Sequence, residues 1–163
     1  MFPSHLIDLA TDVLTKAKAK SWTLATAESC TGGLVAAILT EIPGSSAAVE
    51  RGFVTYANQA KTDMLGVSPA TLAEHGAVSE QTAAEMAAGI LAHSPVHLGV
   101  SITGIAGPGG GSADKPVGTV CFGLAVRGGP TATVRHLFDG DRAVIRLQAA
   151  EVALALLLSS LDA

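Results

Sequence analysis

The sequence predicts an α/β protein of three layers, α/β/α, in which helices cover both faces of a mixed parallel and antiparallel sheet. Apolar runs of strand character alternate with helical patterns through the first two thirds of the chain, which is typical of βα units. Two strands then follow each other, around 117–127 and 131–138, and meet at Gly128-Gly129-Pro130. This is a hairpin pattern, so part of the sheet is antiparallel. The 163 residues, 48% of them hydrophobic, suffice for the core of one domain spanning 1–163.

Each element has its own signal. The first helix opens at Pro3-Ser4 and keeps an apolar face at helical spacing to about Lys20. A strand over about 22–27 then leads into a turn, Ala27 to Gly33, that ends where the next helical pattern begins. The remaining predicted elements are, in order, a helix from Leu34 to about Glu41, a strand over 49–56, a short helix capped by Asn58 and ended by Gly66, a short helix over 69–74, a longer helix from Ser79, a strand over 96–103, the two hairpin strands, and a helix capped by Asp141 that runs to about Leu161.

Composition and charge restrict the function classes. A net charge of -4 argues against a broad nucleic-acid surface, which normally requires a basic face. The most apolar segment, Val152 to Leu158, is too short to span a bilayer, so we expect a cytoplasmic protein without a membrane partner. Neither Cys30 nor Cys121 lies in a CxxC pair, and both are expected to be reduced. The five histidines lack metal-ligand spacing, so no metal site is predicted.

The turn from Ala27 to Gly33 is the first candidate functional segment. It places a hydroxyl, a thiol, a second hydroxyl and two glycines at the start of a helix. A helix N-terminus offers unpaired N–H groups and a positive dipole end, which suit a nucleophile, an oxyanion or a phosphate. A structural alternative stays open, in which Ser29 or Thr31 caps the helix while Gly32 and Gly33 shape the turn.

Lys61 is the candidate base. It lies in the first turn of the predicted short helix, where the dipole disfavours a cation, and burial would lower its pKa further. A neutral lysine near Ser29 could accept the serine proton, as serine–lysine pairs do; the alternative is a solvated surface lysine. Cys30 is a rival nucleophile, because a helix N-terminus also activates a thiol. Consecutive residues of a turn point in different directions, however, so Ser29 and Cys30 do not easily both face a substrate.

The turn at Ser29, the stretch from Tyr56 to Lys61 and the stretch from Ser101 into the glycine loop could converge at one end of the sheet, where α/β folds usually bind ligands. Two further features could complete the site. The glycine-rich stretch from Gly104 to Gly111 follows a strand but matches neither a GxxxxGK[ST] loop nor a GxGxxG fingerprint. It is either a flexible connection or a backbone cradle that approaches a ligand closely. Arg142 and Arg146 stand at i, i+4 near the start of the last helix. They suit phosphate recognition, or else form a solvated face paired with neighbouring carboxylates.

Four segments taken together resemble the CinA C-terminal domain family. They are Ala27-Glu28-Ser29-Cys30-Thr31-Gly32-Gly33, Gly52-Phe53-Val54-Thr55-Tyr56-Ala57-Asn58-Gln59-Ala60-Lys61, Thr103-Gly104-Ile105-Ala106-Gly107-Pro108-Gly109-Gly110 and Lys115-Pro116-Val117-Gly118-Thr119-Val120. The match covers nearly the whole chain, in order and at family spacing. The resemblance implies hydrolysis of the carboxamide of nicotinamide mononucleotide to nicotinate mononucleotide and ammonia, in pyridine nucleotide recycling and without a cofactor. Longer members carry an additional N-terminal domain, and this chain, which begins at Met1, is expected to be the stand-alone form.

The resemblance also implies residue roles. Ser29 matches the nucleophile and Lys61 the general base, while Tyr56 and Thr103 match residues that assist this pair or orient the substrate, Tyr56 as a possible proton relay. The expected substrate-binding residues are Cys30, Thr31, Gly32, Gly33, Asn58, Gly104, Gly107 and Arg142, the last near the substrate phosphate. The expected partner is a small-molecule nucleotide, and we expect a homodimer or larger homo-oligomer.

Two other functions stay open at this point. The first is a non-enzymatic, nucleotide-binding or competence-associated interaction module of the same fold, which would bind a nucleotide without turnover. The second is a cysteine enzyme that uses Cys30 and survives the loss of Ser29. A Rossmann oxidoreductase is the weakest option, because the glycine fingerprint is missing and the glycine loop comes late in the chain.

Overall fold

The computed structural model describes residues 1–163 as five strands and six helices. The strands are β1 (Leu24–Glu28), β2 (Val49–Val54), β3 (Leu98–Gly104), β4 (Thr119–Val126) and β5 (Thr131–Leu137). The helices are α1 (Ser4–Ala19), α2 (Leu34–Thr40), α3 (Asn58–Leu65), α4 (Pro69–His75), α5 (Glu80–His93) and α6 (Arg142–Asp162), with a 3-10 turn over Ser45–Ala47.

The sheet has the order β2-β1-β3-β4-β5. Strand β1 pairs in parallel with β2 and with β3, whereas β4 runs antiparallel to both β3 and β5. The mixed sheet predicted from the sequence is therefore confirmed. Because β1, β2 and β3 point the same way, their carboxyl ends meet at one edge, where α/β folds usually bind ligands.

The helices form one layer on each face of this sheet. Helices α1, α2 and α6 cover the larger of two apolar clusters, which holds 24 buried residues, and α3 and α5 cover a cluster of eight on the opposite face. Small residues bring α5 very close to the strands: a Cβ added to Gly123 would stand 2.3 Å from the carbonyl oxygen of Ala83. Any larger residue at position 123 would push α5 and its N-terminus away from the sheet.

Helix α6 is longer than the apolar segment that marked it. By length and composition alone its 21 residues could cross a membrane, so the shortness of the segment from Val152 to Leu158 does not by itself decide the question. Seven of its residues are buried, spaced along one face from Ile145 to Leu161, and the helix packs against α1, α2, β3 and β4. Its apolar surface therefore belongs to the core of the fold.

Most predicted helix ends are confirmed, with one exception. Ser79 and Asp141 cap α5 and α6 by accepting backbone N–H bonds, and Gly66 ends α3 in the left-handed region. Asn58, however, does not cap α3. It is the first residue of the helix, and Ala57 stands at the N-cap without a side-chain bond, so the Asn58 side chain remains exposed.

Candidate active site

A cavity of about 280 Å³ opens at the edge where the parallel strands end. Ser29 comes from the turn after β1, Lys61 from α3, and Thr103 from the carboxyl end of β3. All three line the cavity. Arg142, at the start of α6, and residues of the glycine-rich stretch complete the rim. The three segments that the sequence analysis expected to converge therefore do so.

Ser29 and Lys61 form a buried pair. Lys61 Nζ lies 3.0 Å from Ser29 Oγ, 2.9 Å from the carbonyl oxygen of Thr55 and 3.3 Å from that of Tyr56. Lys61 is 1% exposed and Ser29 9%, which excludes the solvated-lysine alternative. No carboxylate forms a salt bridge with Lys61.

Burial lowers the pKa of Lys61, against a smaller opposing effect of Cys30, because the ammonium loses its hydration. A neutral amine has two N–H donors and one lone pair. When Lys61 is neutral, the carbonyl oxygens of Thr55 and Tyr56 accept these two donors and the lone pair faces the Ser29 hydroxyl. The geometry therefore fits a neutral Lys61 as the acceptor of the serine proton.

The Cys30 thiol is in a different state. Burial raises the pKa of Cys30 to about 12, so the thiol stays protonated near neutral pH. It lies in the apolar core and forms no hydrogen bond with Lys61. The geometry therefore favours Ser29 over Cys30 as the nucleophile, and Cys30 contributes to the cavity wall.

Glu28 is a residue of this region that the sequence analysis missed. Its fully buried carboxylate accepts the N–H groups of Gly33, Val35 and Ala36 at 2.9–3.1 Å. Thr26 adds a hydroxyl bond at 3.2 Å. Glu28 therefore caps α2, the role that the structural alternative gave to Ser29 or Thr31. A lone acidic residue at the end of a buried apolar strand, just before a helix, was the available signal.

Replacing Glu28 with glutamine should destabilise the fold by about 2–3 kcal/mol, because the carboxamide NH₂ would face backbone N–H donors and leave at least one buried donor unpaired. The free energy of unfolding in urea measures this loss. Glu41→Gln is the matched control, since Glu41 is exposed at the other end of α2 and its replacement should change stability by less than about 0.5 kcal/mol. Equal stability of the two variants would contradict the capping role of Glu28.

The capping by Glu28 changes the expected set of oxyanion donors. The N–H of Gly33 is taken by Glu28 and that of Gly32 by the carbonyl oxygen of Ser29 at 3.0 Å. Thr31, Gly32 and Gly33 also do not line the cavity. This corrects the expected substrate contact of Gly32 and Gly33 and leaves Thr31 only its backbone N–H. The N–H groups of Cys30 and Thr31 find no acceptor on another residue. Buried donors of this kind normally have a partner, which makes these two amides the candidate oxyanion donors.

Tyr56 occupies the rim. Its side chain is 59% exposed, and its hydroxyl accepts a bond of 3.0 Å from Arg142, whereas no hydrogen bond links it to Ser29 or Lys61. The expected relay through the Tyr56 phenol is therefore unsupported, and its backbone carbonyl is what contacts Lys61. Arg142 also donates to the carbonyl oxygen of Gly107 at 2.8 Å and so ties Tyr56 to the glycine loop.

The other expected site residues reach the cavity. Thr103 is buried, and its hydroxyl donates to the carbonyl oxygen of Ala77 at 2.7 Å, which fixes the segment before α5 against β3. Asn58, Gly104 and Gly107 line the wall or rim. Thr103 thus positions a cavity wall, and its hydroxyl donates away from Ser29.

Fold and site together define a class: an α/β protein with a buried serine–lysine pair in a polar-rimmed cavity at the carboxyl ends of parallel strands. The chain belongs to the CinA C-terminal domain family, whose profile matches residues 6–161.

Similar proteins are known by sequence and by structure. A protein of Enterobacter agglomerans, named nicotinamide-nucleotide amidohydrolase PncC, is 52% identical, with 94% of each chain covered. The Escherichia coli K12 protein of the same name is 53% identical over 94% of this chain and 93% of its own. The crystal structure of competence/damage inducible protein CihA from Agrobacterium tumefaciens superposes with a TM-score of 0.96 at 49% identity, covering 100% of this chain and 99% of that one.

Proposed function

We propose that this chain is a nicotinamide-nucleotide amidohydrolase that converts nicotinamide mononucleotide to nicotinate mononucleotide and ammonia by a serine–lysine mechanism. The observation that carries the proposal is the 3.0 Å distance between Lys61 Nζ and Ser29 Oγ, in a cavity at the carboxyl ends of the parallel strands. The names of the similar proteins support the choice of substrate. The high pKa of Cys30 leaves the cysteine mechanism without a reactive thiolate.

In the first half-reaction, Ser29 Oγ attacks the carboxamide carbon and its proton passes to the lone pair of Lys61. The resulting tetrahedral oxyanion accepts the N–H groups of Cys30 and Thr31. When the C–N bond breaks, protonated Lys61 returns the proton to the departing amine, and ammonia leaves. Lys61 is neutral again, and the acyl group is an ester of Ser29.

In the second half-reaction, water attacks the ester carbon while Lys61 accepts its proton. The same two amides hold the second oxyanion. Collapse breaks the bond to Ser29 Oγ, Lys61 returns the proton to Oγ, and nicotinate mononucleotide is released. Both half-reactions use one base and one pair of donors, so no cofactor enters the balance.

The substrate series nicotinamide, its riboside, its mononucleotide and the full dinucleotide tests the proposal. We expect ammonia from the mononucleotide in clear preference to the other three. Ammonia from none of them, together with tight mononucleotide binding by calorimetry, would favour the nucleotide-binding module instead.

Arg142 is proposed to bind the substrate phosphate, because it is a rim guanidinium without a carboxylate partner. Arg142→Met should raise KM for the mononucleotide about 10-fold or more, the equivalent of one charge-assisted hydrogen bond. Turnover of the riboside, which lacks the phosphate, should change little, so the ratio of the two KM effects is the measurement. An equal effect on both substrates would mean that Arg142 does not bind the phosphate and acts instead by holding Tyr56 and Gly107 in place.

Three wider expectations stay predictions: one domain over 1–163, a cytoplasmic role in pyridine nucleotide recycling, and a homodimer or larger assembly. Light scattering of the purified chain measures its molar mass and so tests the assembly.

A further inference from the structure

We infer that Arg146 is a positioning residue of this site, whose guanidinium orients the peptide groups that donate to the oxyanion. The inference rests on the proposed function and adds to it a residue that never touches the substrate. Arg146 does not line the cavity. It acts from behind the turn that carries Ser29.

The contacts of Arg146 are confined to this turn. Its Nε donates to the carbonyl oxygen of Cys30 at 3.2 Å and a terminal nitrogen donates to that of Thr31 at 3.0 Å. The Thr31 oxygen has a second donor, the N–H of Leu34, but the Cys30 oxygen has no partner other than Arg146. The orientation of the peptide between Cys30 and Thr31 therefore depends on this one side chain.

Because the peptide group is planar, the hydrogen bond from Arg146 to the Cys30 carbonyl also sets the direction of the Thr31 N–H. In a planar trans peptide the C=O of one residue and the N–H of the next point in opposite directions. Holding the Cys30 carbonyl toward α6 turns the Thr31 N–H away from it, on the side where no protein acceptor stands. A cation on the carbonyl also polarises the peptide group and makes its N–H a better donor.

The charge of Arg146 is available for this purpose. Arg146 forms no salt bridge with a carboxylate, contrary to the paired-surface alternative for the two arginines of α6. Its field reaches the turn: it lowers the pKa of Cys30, although burial raises that pKa by more. On the far side, Glu28 holds the start of α2, so the turn is fixed at both ends by opposite charges.

Arg127 offers a matched control. It also donates only to carbonyl oxygens, those of Val96, Leu91 and Ser94, but it lies just after β4, at the end of the sheet opposite the cavity. Both arginines anchor backbone in the same chemical manner. Only Arg146 anchors backbone next to the nucleophile.

Arg146→Met should lower kcat about 10- to 100-fold, somewhat less than the outright loss of an oxyanion donor. KM should stay within about twofold, because the contact strengthens only in the transition state. Arg127→Met should keep the wild-type kcat even if its thermal unfolding midpoint falls as much as that of Arg146→Met. Arg146→Lys, which retains the charge and one donor, should recover part of kcat.

A second readout does not depend on turnover. The mononucleotide with an aldehyde in place of the carboxamide would add Ser29 Oγ to its carbonyl carbon, move the serine proton to Lys61 and leave a hemiacetal oxyanion on the donors. In Arg146→Met its dissociation constant should rise by about the factor lost from kcat, while that of nicotinate mononucleotide stays unchanged. A purely structural role would weaken both ligands together.

Unchanged kcat in Arg146→Met, or a loss of kcat with unchanged aldehyde affinity, would overturn the role of Arg146. If Arg146→Met does not fold by circular dichroism, the same comparisons are made on Arg146→Lys, which must then lie between wild type and a tenfold loss. Failure of the wild type to release ammonia would instead overturn the proposed function itself, so the two failures are distinct.

Discussion

Replacing Ser29 with alanine should reduce kcat for ammonia release from nicotinamide mononucleotide by about 10⁴-fold or more, as the loss of a covalent nucleophile does elsewhere. No other group in the cavity can take its place: the Cys30 thiol stays protonated, since burial raises its pKa to about 12. The fold should tolerate the change, because Lys61 keeps its bonds to the carbonyl oxygens of Thr55 and Tyr56. A coupled ammonia assay under saturating substrate measures the loss.

Ser45→Ala is the matched control for this experiment. Ser45 is as buried as Ser29 but lies in the 3-10 turn before β2, away from the cavity, so its replacement should leave kcat unchanged. A trapped acyl-enzyme should add the acyl mass to wild type and to Ser45→Ala, and never to Ser29→Ala. Activity that survives in Ser29→Ala but disappears in Cys30→Ala would establish the cysteine mechanism instead.

The convergence of Ser29, Lys61 and Thr103 could be predicted from the sequence because it follows from topology. Ser29 and Lys61 follow strands, Thr103 lies at the end of one, and parallel strands bring their carboxyl ends to one edge of the sheet. The lowering of the Lys61 pKa could be expected for a related reason, since a lysine in the first turn of a helix that packs on the sheet loses solvent.

The surroundings of that pair could not be predicted in the same way. Glu28 became the cap of α2 because the free N–H groups at the start of the helix fall within reach of its carboxylate. Whether Arg146 meets a carboxylate or a carbonyl depends on how α6 packs over β3 and β4 and against α2, and the local sequence does not determine this packing. Local sequence pattern identifies candidate groups, and packing decides which donors remain free.

Replacing Lys61 with methionine should lower kcat about 10³-fold, within the usual range for loss of a general base, while leaving the nucleophile in place. In the wild type, kcat/KM should rise with pH through the lowered pKa of Lys61, because only the neutral amine accepts the serine proton. The residual activity of Lys61→Met should not show this rise of kcat/KM with pH. Lys18→Met, which removes an exposed amine on α1, should keep the wild-type profile.

The same lowered pKa has a consequence for stability. Above the ordinary lysine value of 10.5, Lys61 is neutral in both the folded and the unfolded chain and imposes no penalty. As the pH falls below 10.5, the unfolded chain binds the proton first, so the folded state loses stability until the pH reaches the pKa of the folded protein. The free energy of unfolding of wild type minus that of Lys61→Met should therefore rise with pH across that window.

Urea unfolding of wild type and Lys61→Met at several pH values measures this difference in free energy of unfolding. The slope of the difference against pH separates the effect of proton binding from that of packing. The hydrogen bonds and volume lost in Lys61→Met shift the difference by an amount that does not depend on pH, whereas only the titration of Lys61 makes it change. A flat difference would mean that the Lys61 pKa is the same in the folded and unfolded chain, and the amine would then be protonated near pH 7. Ser29 would in that case lose its base, and the serine–lysine mechanism would fail together with the pH dependence.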